Sequence, residues 1–237
     1  MSSVFVISDD GREEREAKKA KRLVHGSSIT MIFAPNWDEV VIGWSKKPIE
    51  KRGQVWKFAC GEAEVQDVPD IETANSVAGQ FTNCAKRECK NETGLDEDKG
   101  VFAIVQALNY IRHSNSKDVG PLQQWHFLAL LKERLTLPTE PIESYEMGDP
   151  EYWRVVDVLR LPTPRNSIPR SRKVNPYHQI ALARCIIEVR EESRQVELNG
   201  EPICQEFKNL LLGIYDSGIN IDTYERDVMS KIRSGEL

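Results

Sequence analysis

One segment constrains this chain more than any other: a helical stretch with divided faces that halts at a glycine. Between Phe81 and Thr93, the residues Phe81, Ala85 and Cys89 recur at i, i+4 and i+8, so one side of the helix has to be buried. Gly94 followed by Leu95 supplies the left-handed stop and the apolar residue that close such a helix. Glu88 and Glu92 are four apart and share a different face. The segments around it read as strands. Ile29 to Phe33 and Val40 to Trp44 are β-branched and aromatic, and Pro35-Asn36-Trp37-Asp38 between them makes a hairpin turn. Val55 to Phe58 is a further strand that runs into Cys60-Gly61, and Val101 to Arg112 and Gln124 to Leu131 are two more. Tyr152 to Leu161 opens as a strand and turns into a short helix.

The remaining stretches divide the chain. Residues 1–27 form an N-terminal extension, with a β-like run at Val4 to Ile7 and a charged surface helix at Arg12 to Leu23. Residues 28–174 form the main domain, within which Glu62 to Val77 and Pro138 to Pro150 are acidic loops. Thr163 to Lys173 is a Pro/Arg/Ser loop that marks a boundary. Residues 175–237 form a helical segment that packs on the domain or on a dimer partner. Asn175-Pro176 gives its first helix an N-cap and first turn, running to about Glu192. Phe207, Leu210, Leu211 and Ile214 form a second apolar stripe, and Asp222 with Glu225 reads as a capping box for a last helix.

Charge and composition exclude several classes. With 32 basic and 37 acidic residues the net charge is −5, and the C-terminal segment is itself acidic, which disfavours a nucleic-acid partner. No apolar run is long enough to cross a bilayer, and the N-terminus lacks the pattern of a secretory signal. The five cysteines are odd in number and irregular in spacing, which points to reduced thiols and a cytoplasmic protein.

Two carboxylates aligned on one helix make a hard oxygen site suited to Mg²⁺ or Mn²⁺. Arg87 could hold Glu88 by a bidentate contact, and Asn91 adds a neutral amide oxygen. Taken alone, the pair reads more readily as a solvated face than as a metal site.

The run Arg87-Glu88-Cys89-Lys90-Asn91-Glu92-Thr93-Gly94-Leu95 resembles the second half of the Nudix hydrolase signature. Trp56-Lys57-Phe58-Ala59-Cys60-Gly61-Glu62-Ala63-Glu64 looks like the strand and loop that open that motif, and Glu151 to Leu161 resembles a Trp-containing segment late in many Nudix domains. The resemblance spans roughly Ser28 to Leu161 and departs from the pattern in four places. Cys60 and Ala59 replace a glycine and a proline. From Gly61 to Arg87 there are 26 positions, about 12 more than the pattern has. Counted back from Arg87, the upstream glutamate falls at Gly79 and is missing, although Glu62, Glu64 or Asp67 could compensate. Asn91 stands for the first of the paired glutamates.

The resemblance implies an α+β fold, a Nudix-type α/β/α sandwich with a mixed sheet, extended here by C-terminal helices. It implies metal-assisted attack of water on the diphosphate linkage of a nucleoside diphosphate derivative. Glu88, Glu92, Asn91 and the Cys60 carbonyl would hold Mg²⁺ or Mn²⁺, with Arg87 orienting Glu88. Glu146, with Glu143 and Glu151, is a candidate general base. Gly61, Glu62 and Arg172 are the candidate substrate contacts. The partner implied is a small-molecule nucleotide, with a homodimer as a further expectation. The alternative is a Nudix-fold nucleotide-binding or regulatory protein whose catalysis is weak or lost, which Asn91 and the missing carboxylate favour.

Overall fold

The computed structural model of the protein describes residues 26–45, 55–67, 77–112, 122–138, 147–160, 173–198 and 204–237. The expected run Val4 to Ile7 and helix Arg12 to Leu23 lie outside the described residues, as does most of the 163–173 loop. Among the described residues, seven strands form one mixed sheet: β1 (Gly26–Phe33), β2 (Glu39–Ser45), β3 (Trp56–Lys57), β4 (Ala59–Glu62), β5 (Phe102–Arg112), β6 (Leu122–Leu131) and β7 (Met147–Arg154). The described helices are α1 (Val77–Glu88), α2 (Val155–Leu159), α3 (Pro176–Leu198), α4 (Gln205–Asp216) and α5 (Tyr224–Ser234).

Strand β1 organises the sheet. Along one edge it pairs in parallel with β6, from Gly26 opposite Gln123 to Phe33 opposite Leu130. Its other edge is shared. Strand β2 takes the C-terminal end, with Ile32 opposite Val41, and β4 takes the N-terminal end, from Ser27 opposite Glu62 to Thr30 opposite Ala59. Strands β5 and β7 complete the sheet, antiparallel to β6 and β2 respectively.

Side chains alternate along these strands, so each face buries its own set. Ile29, Met31, Phe33, Val40, Ile42, Phe58 and Leu128 face α2 to α5 in one continuous core with Ile180, Ile186, Phe207, Leu210 and Val228. On the opposite face, Ile32, Val41, Ala59 and Ala129 pack with Cys89 and Leu95, and Phe127 packs with Phe81, Cys84 and Ala85. The sheet is therefore covered by helices on both sides, with the C-terminal helices forming one layer.

Some local expectations need correction. Residues 147–150 belong to β7 rather than to a loop: Met147 is fully buried over Gly43 and lies opposite Ser45. A Cβ at Gly43 would fall 2.5 Å from Met147 Cγ, so any larger residue there would require the Met147 side chain to move. Helix α3 continues past Glu192 to Leu198. Asp222 and Glu225 do not cap α5; they bind Arg190 and Arg184 and staple α5 to α3. Trp37, at the tip of the β1–β2 turn, has a φ of +62°, rare for a bulky residue. Its ring drops into the helical layer, 5.3 Å from Phe33 and 5.2 Å from Phe207 between centroids, and that packing holds the turn.

Candidate functional site

Strand β4, the turn that follows it and α1 converge on one cluster of charges. The strand leads into a 3₁₀ turn, Val65–Asp67, and the chain returns at Val77 as α1. Helix α1 buries Phe81, Cys84 and Ala85 and passes into a single π turn, Cys89–Thr93. Insertions of this kind recur at functional sites. Gly94 ends the turn at a φ of +73°, donating its N–H to the Lys90 carbonyl at 3.0 Å. A side chain at Gly94 would meet both that strained backbone and Pro138, 2.6 Å away.

Arg87 holds the cluster together. Its Nε and Nη2 donate to Asp67 Oδ1 and Oδ2, both at 2.9 Å. Nη2 also donates to the Glu62 carbonyl at 2.9 Å, and Nη1 to Glu88 Oε1 at 2.6 Å. Burial pulls the Arg87 pKa down, but the bonds to Asp67 and the charges of Glu88 and Asp67 outweigh that and raise it above its usual range. Asp67 is buried and also accepts the Glu64 N–H at 2.8 Å. The missing upstream carboxylate is therefore present. Counted forward from Gly61, Asp67 stands at the signature's place, and the additional residues lie between Asp67 and Arg87. The forward count would have found it; the backward count led to Gly79.

Gly61 is required for a different reason. A Cβ on it would fall 2.0 Å from Glu88 Oε1 and 2.2 Å from Glu88 Cδ. The carboxylate rests on the bare backbone of β4. Glu62 and Glu64 are exposed at the rim, with Glu64 Oε1 3.5 Å from Arg87 Nη1.

The other half of the expected metal site differs. Glu92 is fully buried, Lys57 Nζ binds its Oε1, and the Cys60 N–H donates to its Oε2 at 2.8 Å. Lys57 was not expected here. Alternation supplies the signal, because Trp56 and Phe58 face the C-terminal helices and Lys57 must face α1 with Ala59. Among the described residues, no group of three or more His, Cys, Asp and Glu side chains is gathered so as to hold a metal ion. Of the two carboxylates expected as ligands of Mg²⁺ or Mn²⁺, Glu88 is bound by Arg87, and Glu92 by Lys57 and the Cys60 amide. Asn91 is half-buried within the π turn. Burial raises the Cys60 and Cys84 thiols to about 12, which keeps both protonated and unreactive near neutral pH. None of the five cysteines forms a disulfide.

No protein-family model and no curated protein matches the chain. Solved structures do. The M. Smegmatis Nudix hydrolase RenU is 14% identical with a TM-score of 0.45, covering 76% of this chain and 89% of that one. The E. coli dihydroneopterin triphosphate pyrophosphohydrolase is 14% identical with a TM-score of 0.42, covering 68% and 94%. The NUDIX domain of Shewanella oneidensis NrtR, complexed with ADP ribose, is 14% identical with a TM-score of 0.37, covering 57% and 76%. The likeness is to Nudix proteins.

The other expected site residues divide. Gly61, Glu62, Asp67, Arg87 and Glu88 come together, whereas Glu143, Glu146 and Arg172 lie outside the described residues. Glu151 is not at the cluster. Tyr152 packs toward Cys89 and Leu95, so alternation turns Glu151 to the other face, where it accepts the Trp153 Nε1–H at 3.0 Å. The tryptophans do not form a free stacking platform: Trp37 and Trp56 are buried, Trp44 and Trp153 pack on Trp56, and Trp125 lies between Phe81 and Phe127.

Proposed function

We propose that this chain is a nucleotide-binding protein of the Nudix type whose hydrolysis of the diphosphate linkage is weak or lost. The pairing of Glu92 with Lys57 carries the reading. Metal-assisted attack of water on a diphosphate needs a cation that neutralises the phosphate and lowers the pKa of its water. Here the buried carboxylate that would help to hold such a cation is already compensated by a side chain of the same chain. Asn91 removes a further negative charge from the same turn. The ligand class, a nucleoside diphosphate derivative, follows from the resemblance of residues 56–64 and 87–95 to the Nudix motif. Gly61 and Glu62 at the end of β4 are the proposed ligand contacts, with Arg172 as a phosphate contact.

A second reading, hydrolysis of the same linkage, is favoured by one observation. The brace from Asp67 through Arg87 to Glu88 is complete, so Glu88 is held in one orientation. Incubation with Mg²⁺ or Mn²⁺ and a panel of nucleotide sugars, dinucleoside polyphosphates, ADP-ribose, NADH and nucleoside triphosphates separates the two. Calorimetry reads binding and phosphate release reads turnover. Saturable binding of one member with little or no product is expected. Efficient turnover abolished by Glu88→Gln would establish the second reading, and failure to bind any member would end both.

A further inference from the structure

Lys57 is 7% exposed, and a buried lysine is rare unless it is paired. Its partner is a carboxylate with no exposure at all, so each charge would be strongly disfavoured without the other. The lysine is also fixed in place by its neighbours in sequence. Trp56 N–H donates to the Lys173 carbonyl at 2.7 Å, and the Trp56 carbonyl accepts the Asn175 N–H at 2.8 Å. Phe58 N–H donates to His178 Nδ1 at 2.9 Å. With the backbone clamped on both sides and Phe58 fully buried, the ammonium is held at Glu92.

We infer that Lys57 is a tethered cation standing in for a divalent ion, so that the junction between β4 and the π turn is held without metal. Two carboxylates one turn apart would otherwise draw a hard cation. In this chain the attraction of Glu92 is spent within the fold, and that of Glu88 is met by Arg87. The inference shares the Lys57–Glu92 pair with the reading above. It concerns what holds the junction rather than what the protein binds, and its test needs no nucleotide, so either can fail alone.

The test is thermal unfolding of the full chain in EDTA, in excess Mg²⁺ and in excess Mn²⁺, with Mn²⁺ paramagnetic resonance to count bound ions. The wild-type midpoint should stay within about 1 °C across the three conditions. Lys57→Met leaves Glu92 uncompensated, so its midpoint should drop in EDTA. It should recover by about 5 °C or more with Mn²⁺ at about 100 times the dissociation constant. The charge-neutral double variant Lys57→Met/Glu92→Gln should fold and ignore metal. A saturable metal response of the wild type that is absent from the double variant would overturn the inference. So would a folded Lys57→Met that is indifferent to both ions. If Lys57→Met does not fold, the resonance measurement decides. A Mn²⁺ site present in the wild type and absent from the double variant refutes the inference, and equal occupancy in the two sustains it.

Discussion

Replacing Gly61 with alanine tests the close approach on which the charge cluster depends. The new Cβ would lie 2.0 Å from Glu88 Oε1 and 2.2 Å from Cδ, where ordinary contact begins at 3.4 Å. The carboxylate must retreat by about 1.2 to 1.4 Å, more than its 2.6 Å bond to Arg87 Nη1 can absorb. Overpacking costs about 1 to 3 kcal/mol, and losing a charged hydrogen bond about 1.5 to 3 kcal/mol. Part of the second term is recovered when Glu88 swings toward solvent, so a net loss of about 3 kcal/mol is expected. In urea, with a slope near 3 kcal/mol per molar, the unfolding midpoint should fall by about 1 M at constant slope. The cause is isolated by a double-mutant cycle. With Glu88→Ala already in place there is no carboxylate to displace, and Gly61→Ala should then cost under about 1 kcal/mol, a coupling of about 2 kcal/mol. A cost below about 0.5 kcal/mol in the wild type, or an equal cost in both backgrounds, would refute the argument.

Three further outcomes are expected. Asp67→Asn removes the buried anion that binds Arg87 bidentately and should cost about 3 kcal/mol in denaturant unfolding; a change below about 1 kcal/mol would show that Arg87 is held by its other contacts. Phe207→Ala removes the ring that packs on Trp37 and should cost about 3 to 5 kcal/mol, with a change in near-ultraviolet circular dichroism as the Trp37 turn loosens. Two histidines set the acid limit. Burial, then Lys57 and His126, lowers His178 to about 3, and burial, then Arg184, lowers His126 to about 3. The folded state binds its protons at lower pH than the unfolded chain does, so their contribution is complete above pH 6.5 and is lost as the pH falls from there toward 3, with a slope of up to about 2.7 kcal/mol per pH unit. His178→Gln, which keeps an acceptor for Phe58 N–H, should flatten that slope in urea melts between pH 4 and 6.5, and an unchanged slope would rule His178 out as a contributor.

The sheet and its helices were legible because their signals are periodic. The stripe of Phe81, Ala85 and Cys89, the hairpin across Pro35 to Asp38 and the Asn175-Pro176 start all depend on neighbours within a few residues. Lys57 and Asp67 were harder to read. A lysine in a short strand ordinarily signals solvent; alternation assigns it the face opposite Trp56 and Phe58, but its partner Glu92 is 35 positions away and carries no local sign of the pairing. Asp67 was hidden by counting across an insertion whose length carries no marker in the residues themselves. The Asp222 and Glu225 pattern satisfied a local capping rule, but arginines on α3, 32 and 41 positions away, bind those carboxylates instead.

The clamp on β3 has a consequence for the order of assembly. Residues 56 and 58 take three of their hydrogen bonds from positions 173, 175 and 178, more than a hundred residues downstream. A nascent chain that has emerged only as far as β7 holds the lysine-bearing strand without those bonds. Closure of such distant contacts is slow, because loop entropy is lost before the contacts form. The strand that presents Lys57 to the acidic helix end therefore gains these three bonds only after the first turn of α3 has been synthesised.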